Sequence, residues 1–159
     1  MKTFLTIVFL FTLSGTSAYA QKTLSTVQLL ENREPKVKWN SRSLLKADFD
    51  YDGVPDYALS GRRGDRFVVG IVKGPLNRKS KHWTLGFLEN GGSQGALCSV
   101  ASARINLERA SSDVESGDEP EETRKLPKKS RGINLSDEHC DSFHIYYSRK
   151  EKQFVWWRR

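Results

Sequence analysis

Nine consecutive residues, Asp48-Phe49-Asp50-Tyr51-Asp52-Gly53-Val54-Pro55-Asp56, place carboxylates at positions 1, 3, 5 and 9 of a loop and glycine at position 6. Calcium takes six to eight oxygen ligands. Loops of the EF-hand type draw them from these positions and from the backbone carbonyl at position 7. In this chain that carbonyl belongs to Val54. Gly53 permits the turn that brings the backbone round an ion. Four carboxylates so close together repel one another unless a cation lies among them. The pattern therefore predicts a calcium site made of Asp48, Asp50, Asp52, Val54 and Asp56. The competing reading is a solvated acidic turn, in which Asp and Gly serve only the backbone conformation.

Position 12 of the loop is Leu59, where a full EF-hand carries a bidentate Glu. The flanks read as strands instead of helices. Ser43 to Phe49 (SLLKADF) enters the loop and Tyr57 to Gly61 leaves it. Asp-x-Asp-x-Asp-Gly-x-x-Asp followed by Tyr57-Ala58-Leu59 resembles the FG-GAP (VCBS-type) repeats of integrin α-chains and of many bacterial exported proteins. The resemblance spans Leu45 to about Val72. It implies a loop that joins two antiparallel strands and binds calcium. That family builds a propeller from several repeats. This chain carries one copy, and 159 residues leave no room for a full propeller. As a whole the chain also resembles small single-repeat bacterial exported proteins.

The rest of the chain must supply a scaffold for that loop. Met1 and Lys2, the apolar run Phe4 to Leu13 and the exit Ala18-Tyr19-Ala20 have the form of a cleaved secretory signal. The run is shorter than the roughly 20 residues a membrane anchor needs. Residues 21–159 then form the expected mature domain, periplasmic or secreted, with no transmembrane segment. Removal of Lys2 lowers the formal charge from +7 to +6. A basic balance favours anionic partners. Export excludes intracellular nucleic acid, leaving an unknown protein or an anionic envelope surface. The basic segments are Arg62/Arg63/Arg66, Arg78-Lys79-Lys81, Lys128-Lys129-Arg131 and Arg158-Arg159.

The mature region reads as β-rich. Gln21 to Pro35 holds Leu24, Val27 and Leu30 at helical spacing and suits a short amphipathic helix or an irregular lead-in. Arg66 to Lys73 (RFVVGIVK) is the clearest strand, ended by Gly74-Pro75. Lys81 to Leu88 is another, the Gly-rich stretch Glu89 to Gly95 should turn, and Ala96 to Leu107 reads as one strand through Cys98. Ser111 to Arg131, acidic and then basic and without aromatics, reads as a long exposed loop. Ser142 to Ser148 and Gln153 to Arg158 form a hairpin about the charged turn Arg149 to Lys152. Its aromatic residues are mainly core material. Trp156 and Trp157, where exposed, are the candidates for contact with a partner.

Other chemistry is sparse. Cys98 and Cys140 form an even pair in an exported chain, which favours a disulfide. A zinc site from Cys98, His139, Cys140 and His144 is the rival, but its spacing fits no usual zinc pattern. Free thiols are a further alternative. Arg63-Gly64-Asp65 spells an adhesion tripeptide beside an expected turn, and Asn134-Leu135-Ser136 is a glycosylation sequon. His82, His139 and His144 have no motif-placed nucleophile, so no catalytic residue is assigned.

The expected protein is mainly β, an antiparallel meander with a C-terminal hairpin, one calcium loop and one disulfide. Its expected role is that of an exported calcium-binding, non-enzymatic interaction module. A secreted inhibitor or immunity-type protein is the alternative, and a hydrolase is the third reading.

Overall fold

The computed structural model describes residues 25–89, 96–110 and 120–158. The expected secretory signal, most of the Gly-rich turn and most of the acidic part of the charged stretch lie outside them. Among the described residues the chain is mainly β. One sheet holds β1 (Lys38–Trp39), β2 (Leu45–Ala47), β3 (Asp56–Arg63), β4 (Arg66–Val72), β5 (His82–Glu89) and β6 (Ala96–Leu97). The other holds β7 (Arg104–Arg109), β8 (Arg131–Ser136), β9 (Phe143–Ser148) and β10 (Gln153–Arg158).

Strands β3, β4 and β5 follow one another as an antiparallel meander. Both β1 and β2 pair with β3, and β6 adds a short parallel rung beside β5. The second sheet is a pure antiparallel meander in the order β10-β9-β8-β7. The predicted C-terminal hairpin is present, with Ser148 opposite Gln153 and Phe143 opposite Arg158.

The alternation of side chains along each strand explains the layering. Phe67, Val69 and Ile71 on β4 share a face, and with Phe87 on β5 they meet Ile133, Leu135, Phe143, Ile145 and Phe154 of the second sheet. Aromatic edges lock this interface. Trp83 lies 5.0 Å from Phe154, and Phe87 lies 5.0 Å from Phe143. Such tilted and edge-on contacts add to the burial of apolar area.

The lead-in resolves as helix α1 (Thr26–Arg33). Ser25 and Gln28 form a capping box at its start, which satisfies amides that a free helix end would leave unpaired. Leu29 and Leu30 then pack on Leu59 and Val72, on the side of the first sheet away from the main core. Trp39 fills the neighbouring space above two glycines. A Cβ on Gly70 would lie 2.5 Å from the Trp39 ring, so glycine is required for that approach.

Two sequence expectations change. The stretch Ala96 to Leu107 is two strands in different sheets, because the chain turns between them where Asp137 captures the backbone amides of Cys98 and Ser99. The described part of the charged stretch, residues 120–131, is not wholly solvated. It contains the short helix α2 (Glu121–Arg124), and Thr123 and Leu126 are buried. Leu126 lands on Ala110 and Tyr146, and Glu122 accepts hydrogen bonds from Ser148 Oγ (2.8 Å) and the Arg149 amide (2.7 Å). A few contacts with the second sheet suffice where composition alone suggests a free loop. No helix among the described residues is long and apolar enough to cross a membrane.

Candidate metal centre

The acidic loop is the connection between β2 and β3. Leu45 pairs with Ala58 and Ala47 pairs with Asp56, so the two ends of the loop are held side by side. Its alternating sequence sends residues in opposite directions. Phe49 is buried in the main core, while Tyr51 packs on the cluster of Ala110, Leu126 and Tyr146. The carboxylates between these aromatics are left facing one another. Tyr51 and Gly53 both take positive φ, 63° and 89°. That conformation costs a side chain something like 1 kcal/mol and glycine almost nothing. Burial of the Tyr51 ring, with Arg149 5.6 Å from its centre, offsets the cost. Burial also pushes the Tyr51 hydroxyl well above the usual tyrosine range.

Asp48, Asp50 and Asp56 each offer a carboxylate oxygen, and these oxygens lie within 4.8 Å of one another. Two oxygens bound to one calcium at 2.3–2.6 Å can be at most about 5 Å apart. The trio therefore fits a calcium-sized ion, and an all-oxygen donor set suits a hard cation. Asp52 lies outside the trio: its Oδ1 accepts from the Val54 amide at 2.8 Å and its Oδ2 lies 2.7 Å from Lys73 Nζ. Val54 enters the described contacts through that amide.

Backbone amides already shape the loop. The Asp52 amide donates to Asp48 Oδ1 (3.1 Å) and Asp50 Oδ1 (3.3 Å), and the Gly53 amide to Asp48 Oδ2 (2.9 Å). Asp56 is the anchor, with 1% of its surface exposed. Its Oδ2 accepts from Phe49 (3.0 Å) and Asp50 (3.2 Å), and its Oδ1 from Gly74 (3.0 Å). Burial nevertheless pushes its pKa up to about 6; the amide bonds oppose that rise and the charge of Asp50 adds to it.

Two contributors come from the far end of β4 and were not assigned from the sequence. Lys73 Nζ pairs with both Asp50 and Asp52. Burial works against its charge, but the two carboxylates more than compensate and hold its pKa above the ordinary lysine value. The same ammonium holds the Asp52 carboxyl below the usual range, with the Val54 amide assisting. Gly74 approaches so closely that a Cβ there would lie 2.1 Å from the Pro55 carbonyl oxygen. The signal that finds both is register. A turn at Gly64-Asp65 sets Arg63 opposite Arg66 and Tyr57 opposite Val72, which carries Lys73 and Gly74 to the mouth of the loop.

The other sequence candidates fall elsewhere. Cys98 and Cys140 form a disulfide, with Cα atoms 5.8 Å apart. The zinc alternative is not assembled, because His144 lies on β9 and contacts Glu108 through Nδ1 at 2.9 Å. Trp156 packs on Phe87 and Phe143 in the core, and Trp157 stacks on His144 at 4.4 Å. Arg63 of the adhesion-like tripeptide faces Glu34 at 3.5 Å. Asn134 of the sequon lies within β8, half-buried beside Glu108.

Comparison with protein-family models, with curated proteins and with solved structures gives no match. The functional reading rests on the chemistry of the residues themselves.

Proposed function

We propose that this chain is an exported β-sandwich module, stabilised by calcium, that works by binding another macromolecule and not by catalysis. The observation that carries the reading is the trio of oxygens from Asp48, Asp50 and Asp56. In this reading those three aspartates hold the ion, and Asp52 and the Val54 carbonyl are the remaining donors of the DxDxDGxxD pattern. Bound calcium would supply two positive charges to a loop with four carboxylates and one lysine nearby. The resemblance to a single FG-GAP or VCBS-type repeat supports the same assignment.

Export fits a disulfide, since such bonds persist in oxidising compartments. In this reading two of the histidines serve contacts within the fold. His82 contacts Arg33 (2.9 Å) and lies 3.9 Å from Glu34, while His144 is held between Glu108 and Trp157. The partner we propose is a protein or an anionic envelope surface. Support comes from the basic balance and from exposed Arg66, Arg78, Lys79, Lys81, Lys128, Lys129 and Arg131.

Thermal melting tests the calcium reading. Melting temperature should rise when calcium replaces chelator, and Asp50→Ala should abolish the rise. An identical melting curve in both buffers for the unmodified protein would sink the reading. Capture of partners from the same compartment then tests the binding role.

A further inference from the structure

We propose that Lys73 is a tethered counter-cation that competes with calcium for the acidic loop, setting its affinity and holding it closed when metal is absent. The inference rests on the calcium reading and adds to it a determinant of affinity outside the loop. Its basis is geometric. The trio that fits the ion includes Asp50, and Lys73 Nζ is already paired with Asp50 Oδ2 while reaching Asp52 Oδ2 at 2.7 Å. A calcium ion bound through that oxygen of Asp50 and the ammonium cannot both lie against it, because two cations a few ångströms apart repel strongly.

Lys73 is delivered to this position by structure that does not depend on metal. It directly follows β4, whose register with β3 is fixed over seven residue pairs. The Lys73 amide donates to the Lys81 carbonyl at 2.9 Å, and the next residue, Gly74, donates to Asp56 at 3.0 Å. The backbone is thus held on both sides, while the flexible side chain is held by its two carboxylate partners and can swing once calcium takes them. Its relative exposure is 33%, so an open path leads from the carboxylates to water. Calcium entry then exchanges one cation for another. The ammonium leaves Asp50, remains beside Asp52 or moves to solvent, and the loop keeps a counter-charge throughout. The consequence is a loop of moderate calcium affinity that does not fly apart when calcium is low.

Calcium titration of the purified protein beside Lys73→Gln and Lys73→Arg tests this directly. Removing the charge with Lys73→Gln should tighten calcium binding by about tenfold or more, since an adjacent positive charge no longer opposes the ion. The same variant should melt at a lower temperature than the unmodified protein in chelator and gain more from calcium. Lys73→Arg keeps the charge and should bind calcium close to the unmodified level. Equal calcium affinity in the unmodified protein and a folded Lys73→Gln would overturn the competition while leaving the calcium reading intact. Absence of calcium binding in all three proteins, folded, would overturn both. If Lys73→Gln does not fold even with calcium, tighter binding by acetylation of Lys73 in the folded protein supports the proposal and unchanged binding overturns it.

Discussion

Asp56 and Asp137 are both almost fully buried, and each ties a corner of the chain together by collecting backbone amides. Asp137 receives amides from Cys98, Ser99, His139 and Cys140, joining the two ends of the disulfide. Asp56 receives those of Phe49, Asp50 and Gly74, joining the loop to the end of β4. Their protonation moves in opposite directions. Burial would raise the Asp137 pKa, but the amides from Cys140, His139, Ser99 and Cys98 outweigh it and hold it below the usual carboxylate range. At Asp56 burial wins, helped by the neighbouring charge of Asp50. A buried aspartate with enough amides is a finished structural joint. The same device placed among other carboxylates retains a demand for positive charge, which is the property expected of a metal site.

The contrast is broken most severely at the covalent corner. Asp137→Ala would leave four amides without their acceptor, at a cost of about 4 kcal/mol or more. Denaturant unfolding should show this as a large fall in the midpoint with an intact disulfide. Serine at both Cys98 and Cys140 should cost about 4 kcal/mol, from the closure entropy of a loop with 42 residues of separation. Similar stability of the double-serine variant and the parent would contradict the role given to this corner.

At the other corner, Gly74→Ala should cost about 2 kcal/mol, because the added methyl collides with the Pro55 carbonyl. Gly86→Ala is the control, since nothing lies within 4 Å of a Cβ at that position. It should change stability by less than about 1 kcal/mol. Equal effects of the two substitutions would show that the β4 end does not hold the loop.

The smallest expected effect is in acid. A carboxyl whose folded pKa is depressed contributes stability that is present above its unfolded pKa, about 3.9, and is lost as pH falls through the lower folded value. Asp137 therefore steepens acid unfolding below about pH 4. Asp137→Asn should flatten that limb of the stability curve, and an unchanged slope would show that the carboxylate is not the titrating joint.

Much of this was legible because the local signals agree. The loop residues Asp48 to Asp56 carry their own spacing rule, and Arg66 to Val72 carry the β-branched content of a buried strand. The hairpin of β9 and β10 follows from two apolar runs about a charged turn. Contacts made across the fold were not legible in the same way. Lys73 meets Asp50 across 23 residues of sequence, and only the β3–β4 register brings them together. Leu126 and Thr123 are buried in a stretch whose composition argues for solvent, because composition cannot register a few contacts with a distant sheet. Trp156 and Trp157 alternate in sequence as expected for opposite faces. Trp156 packs, half-buried, against the main core, and Trp157 lies on the other face against His144.

Calcium titration of the metal-free protein, followed by calorimetry, is the most direct test of the central claim. The account predicts binding of one ion per chain, with a dissociation constant of about 10 µM to 1 mM, and loss of that binding in Asp50→Ala. A folded protein that takes up no calcium at millimolar concentration would contradict it.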